Sequence, residues 1–74
     1  MRVYYRIRIG GNIFSVQKFK GNDNWITGQF DETEYLSKRE AKYYAYLMEY
    51  KHFGRTKTLK KANKIKEEYP EEFL

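Results

Sequence analysis

Arg2, Tyr4, Arg6 and Arg8 occupy alternate positions in RVYYRIRI, residues 2–9. Alternate side chains of an extended chain share a face, so this spacing stands three guanidinium groups and a phenol side by side. Guanidinium forks grip phosphate through paired hydrogen bonds and lie flat on bases, and aromatic rings stack on bases as well. The outer face of an antiparallel sheet normally meets water, and arginine there also protects against aggregation. Mixed charges would serve that purpose equally, yet this set carries no acid.

The same face extends by parity. After the turn residues of IGGNI, Ser15, Gln17 and Phe19 follow the arginines, whether the turn centres on Gly10-Gly11 or on Gly11-Asn12. In WITGQF, if Ile26 and Phe30 extend the core, then Trp25, Thr27 and Gln29 join the arginine side. Trp25 also suits the core itself. Amides and hydroxyls read base edges, and a sheet of two or three strands fits a major groove.

A second basic set lies near the end of the chain. Lys57, Lys60, Lys61 and Lys64 recur at the spacing of one helix side, opposite Leu59, Ala62, Ile65 and Tyr69. Any surface helix carries such a row; as phosphate contacts these lysines would add affinity and salt dependence without base choice.

Other chemistries find little material. The chain has one histidine and no cysteine, and GGNIF matches neither the dinucleotide-binding fingerprint nor the P-loop. His52, in the last turn of a helical stretch, reads as a surface or capping residue. Asp31, Glu32 and Glu34 lack the spacing of a calcium loop and read as a solvated connection. The expectation is no enzymatic activity, no cofactor and no metal.

These residues need elements to position them. Val3, Tyr5, Ile7 and Ile9 alternate with the arginines, and Phe14 and Val16 answer them, which predicts strands over 2–9 and 12–20 and a third over 24–30. Ser37 with Glu40 forms a capping-box pattern, and Gly54 supplies a stop, so a helix is expected over 38–53 with Ala41, Tyr44, Ala45, Leu47 and Met48 facing the sheet. Thr56 or Thr58 caps a second helix, 58–69, ended by Pro70. Strands first and helices after give an α+β fold with a three-stranded antiparallel sheet. Tyr43, Tyr46 and Tyr50 form a separate stripe that packs the second helix or, if left bare, serves a homodimer contact.

The 74 residues are read as a single domain, 1–74, of modest expected stability. Net charge is +5, spread as +4 over residues 1–30, −2 over 31–50, +5 over 51–69 and −2 in the tail PEEFL. Eight tyrosines and five phenylalanines exclude a disordered basic tail. Without cysteine, or an apolar run of the roughly 20 residues that a membrane span needs, a cytoplasmic protein with no membrane partner is expected.

The three strands followed by SKREA resemble, over residues 2–53, the arm-binding domains of phage and transposon integrases, whose sheet enters the major groove; here DETEYL separates Phe30 from the helix start. A short chain rich in Lys, Tyr, Asn and Ile also resembles the small host-takeover proteins of phages, some of which inhibit host replication proteins such as the sliding clamp. The expectation is therefore a phage or mobile-element module that binds DNA through its arginine and aromatic face. The alternative is an inhibitor, as monomer or dimer, whose basic face binds an acidic surface of a host replication protein.

Overall fold

The alternation in residues 3–9 becomes the first strand of a hairpin in the computed structural model, which describes residues 2–11, 13–21 and 28–73. Strand β1 (Val3–Gly10) pairs antiparallel with β2 (Ile13–Lys20). Gly10 faces Ile13, which selects the later of the two registers that parity allows. Ile7 therefore opposes Val16 and Ile9 opposes Phe14 on one side, while Tyr4 opposes Phe19, Arg6 opposes Gln17 and Arg8 opposes Ser15 on the other.

Helix α1 (Lys38–Phe53) has the expected bounds, and both caps work as their residue types require. Ser37 holds an extended backbone and its Oγ accepts the Glu40 N–H at 3.4 Å. Gly54 takes a φ of 66°, a left-handed conformation that costs glycine little, and donates to the Tyr50 carbonyl. Ala41 and Ala45, both buried, let the helix approach the sheet closely enough to enclose Ile7 completely, with Tyr35 beside them. Tyr5, Phe14, Val16 and Met48 surround this core.

Helix α2 (Thr56–Glu68) starts two residues earlier than expected, because neither threonine caps it. Arg55 is the cap residue and makes no side-chain cap bond; Thr58, already inside the first turn, donates its hydroxyl to the Arg55 carbonyl at 2.7 Å. The helix packs along α1 through buried Thr58 and Ala62. Buried Glu49 faces the Arg55 guanidinium there at 3.4 Å. A 3-10 turn, Pro70–Phe73, then returns to the start of α1: the Ser37 hydroxyl donates to Glu72 at 2.8 Å and Phe73 lies against Tyr43. The whole is a slab, 35 × 31 × 13 Å between Cα extremes.

The class is α+β, with a two-stranded antiparallel sheet and two helices. The third strand expected over 24–30 is not among the described elements, and residues 22–27, with Trp25, Ile26 and Thr27, lie outside the described residues. What flanks β1 on its free edge is a later segment, 29–35. Ile9 donates to Gln29, Asp31 donates to Ile7, and Tyr5 and Tyr35 exchange both bonds. Its two bridges, Arg8 with Phe30 and Tyr5 with Tyr35, span three residue steps on β1 but five on the partner. That two-residue excess prevents a continuous ladder. Gly28 breaks the chain just upstream at a φ of 134°, where a Cβ would also meet the Phe30 ring at 3.3 Å.

Ile7→Ala empties the centre of the core and is expected to cost about 2–5 kcal/mol, whereas Val3→Ala, at a half-exposed position, should cost less than about 1 kcal/mol. Urea midpoints followed by circular dichroism separate the two; equal losses would place the centre of the core elsewhere.

Candidate nucleic-acid interface

The arginine side of the hairpin is a second, smaller core. Tyr4 and Phe19 are 5% and 3% exposed and stack with ring centroids 5.3 Å apart and planes 11° from parallel. Phe30 meets Phe19 edge-on at 5.4 Å. Its ring therefore lies on the arginine side, while Gln29 lines a recess with Ile9, Phe14 and Met48 on the helix side. This reverses the parity expected for the two residues, because the pairing of Arg8 with Phe30 sets the face.

The arginines are roofed onto these rings. The Arg2 guanidinium lies 4.5 Å from the Tyr4 centroid, and Arg6 lies 5.7 Å from Tyr4 and 6.0 Å from Phe19. Glu34, read from the sequence as part of a solvated connection, stands opposite them and accepts from both, at 3.0 Å from Arg2 and 3.2 Å from Arg6. The face thus contains an acid after all, brought there by the segment that pairs with Tyr5. Arg6 Nε is buried without a hydrogen-bond partner among the described residues. Exposed Arg2 and half-buried Arg6 share Glu34; Arg8 is exposed and, among the described residues, forms no ion pair, with Ser15 opposite it and half-buried Gln17 nearby.

Lys57, Lys60, Lys61 and Lys64 are all exposed along α2, as the spacing requires. Among the described residues only Lys64 of this row approaches a carboxylate, Glu68 at 4.0 Å. Sheet arginines and helix lysines do not converge on one site. The tyrosine stripe is taken up internally: Tyr43 meets Phe73 at 4.7 Å, Lys61 stands 5.6 Å from the Tyr46 ring centre, and Tyr43, Tyr46 and Tyr50 are each half-buried. Sequence reasoning passed over Arg39 and Lys42, which flank Tyr46 across a recess from Lys61 and Lys64. Their signal was present, since Arg39, Lys42 and Tyr46 follow helical spacing.

The acids of residues 31–34 are separated in space. Asp31 accepts from the Tyr35 hydroxyl at 3.3 Å, and Glu34 serves the arginines. No three of His, Cys, Asp and Glu converge among the described residues. His52 is exposed in the last turn of α1, its ring 5.4 Å from Phe14. No helix among the described residues is long and apolar enough to cross a membrane.

No protein family, curated protein or solved structure matches this chain. Neither the integrase-like pattern nor the likeness to phage host-takeover proteins finds support there.

Burial and the neighbouring Asp31 carboxylate push the Tyr35 phenol up to about 12 from its ordinary 10. An unfolded tyrosine loses its proton near 10, so between that pH and about 12 the folded chain holds the extra proton and stability falls as pH rises. Tyr35→Phe should lose roughly 0.5–1 kcal/mol near neutrality with its hydrogen bond, and less than the parent on going to about pH 11. Urea midpoints at about pH 8 and 11 check this; an undiminished alkaline loss in the variant would assign the effect to other groups.

Proposed function

We propose that this chain is a non-catalytic binding module that holds nucleic acid, DNA foremost, by its phosphates. The observation that carries the reading is the exposed row of Lys57, Lys60, Lys61 and Lys64, three of them without a carboxylate within 4 Å among the described residues. Bringing those three ammonium groups against phosphate releases counterions and breaks no ion pair among the described residues. Arg8, with Ser15 and Gln17, is the part of the sheet face still open to a ligand, while Arg2, Arg6 and Tyr4 build the support beneath it. Sequence choice, if this module exercises any, then rests on Arg8 and Gln17 more than on the lysines.

A protein partner is the second reading, favoured by one feature. At the turn end of the hairpin, Ile13 is 60% and Phe53 41% exposed, beside a recess of about 510 Å³ lined by Ile9, Phe14 and Met48. An aromatic anchor from a host replication protein suits such a recess, as the alternative reading of the sequence requires.

Salt separates the two. With about five phosphate contacts, affinity for a mixed-sequence duplex should fall by roughly two to three decades between about 50 and 200 mM salt. Fluorescence anisotropy measures it, and failure to bind at the lower salt would exclude the nucleic-acid reading. Lys57→Glu with Lys60→Glu should abolish binding while leaving the melting temperature nearly unchanged. Glu34→Gln releases Arg2 and Arg6 and should tighten duplex binding on the order of threefold to tenfold at 50 mM; weaker binding would show that Glu34 organises the site.

A further inference from the structure

The recess between α1 and α2 combines features that a nucleotide needs. Arg39 and Lys42 come from one wall, Lys61 and Lys64 from the other, and Tyr46 and Ile65 lie between them. Its volume, about 290 Å³, is close to the lower end of small-molecule sites, roughly 300–1,000 Å³. That is room for one base and its sugar phosphate, not for a duplex. The charges are unbalanced in favour of an anion. Glu68 is the one acid of the lining and is engaged by Lys64, and Glu72 reaches Arg39 only at 3.7 Å. Lys42 and Lys61 have no carboxylate within 4 Å among the described residues.

The floor is aromatic. Half-buried Tyr46 is capped by the Lys61 ammonium, 5.6 Å from the ring centre. That ammonium rides on a flexible four-carbon stem and can leave the ring for a phosphate. A base entering the recess then replaces one π-face contact with another, while its phosphate collects Lys61, Lys42 and Lys64. Arg39 is less free, since its guanidinium lies 3.7 Å from the Tyr69 ring centre. It walls the recess and does not reach across it.

We propose that this recess binds a single nucleotide unit, its base stacked on Tyr46 and its phosphate held by Lys42, Lys61 and Lys64. The inference deepens the nucleic-acid reading and rests on it for the source of the nucleotide, an extruded or single-stranded segment. Duplex contacts would then run along the outer lysines, Lys57 and Lys60, while one unpaired base enters between the helices.

The test is a titration of the full-length ¹⁵N-labelled protein with 5′-phosphorylated tetrathymidylate at about 50 mM salt, read residue by residue. Shifts should cluster at residues 39–46 and 61–68 and include the Tyr46 ring. Tyr46→Leu, which keeps an apolar side chain between the helices, should bind tenfold or more weakly. If that variant melts early, Lys42→Ala with Lys61→Ala, both at exposed positions, serves instead and should show the same loss. Inorganic phosphate should move the lysines but not the Tyr46 ring. Thymidine monophosphate binding as tightly as the tetramer would name a free nucleotide as the ligand; tighter binding of the tetramer would name the strand. Shifts confined to residues 2–19 would overturn the recess and leave the nucleic-acid reading standing. Binding of the monophosphate without any affinity for DNA would do the reverse. Parent-like affinity in both variants, or no shift anywhere, would overturn the proposal.

Discussion

β1 has hydrogen-bonded neighbours on both edges and packed side chains on both faces, and the rest of the molecule is arranged around that demand. A two-stranded hairpin in water is marginal by itself. Here one face gains α1 through Ile7, Ala41 and Ala45, and the other gains the stacked pair Tyr4 and Phe19. The other edge is met by residues 29–35, which bond to β1 at Tyr5, Ile7 and Ile9. That segment sends Phe30 and Glu34 to one face and Tyr35 to the other, so one short stretch serves both cores. Its two-residue excess over β1 is the cost of meeting Arg8 at one end and Tyr5 at the other.

The electrostatics divide along the same line. Arg2 and Arg6 on the hairpin sit on aromatic rings and share Glu34, so two of its three arginines are already paired. Lysines on α2 project from a helix whose buried residues are Thr58 and Ala62. Two segments of similar basicity thus differ in what they offer a partner. Arginine's planar, weakly hydrated head suits the first role and the mobile ammonium of lysine the second.

Much of this was legible in the residues. The hairpin follows from alternation, its parity from arithmetic, and α1 from Ser37 and Gly54, because each of these is a local rule that tertiary packing did not override. The edge segment was not legible. DETEYL is polar on average, and its backbone bonds from Asp31 to Ile7 and between Tyr35 and Tyr5 are what lay it along the sheet. Alternation likewise assigns Tyr4 and Phe19 to the arginine side without saying whether that side is covered. The start of α2 was missed for a local reason: threonine signals a cap, but Thr58 spends its hydroxyl on the Arg55 carbonyl. The recess around Tyr46 depends on how two helices lie against each other, which no single periodicity encodes.

PEEF near the end of the chain reads as an acidic tail, yet Glu72 bonds to the residue that caps α1, 35 positions earlier, and Phe73 covers Tyr43. The chain is thereby latched to the beginning of its own main helix. Loosening that latch would disturb the first turn of α1, and with it the helix that lies over Ile7. The stability of the hairpin is in this sense partly stored at the opposite end of the sequence, where charge alone would mark the residues as dispensable.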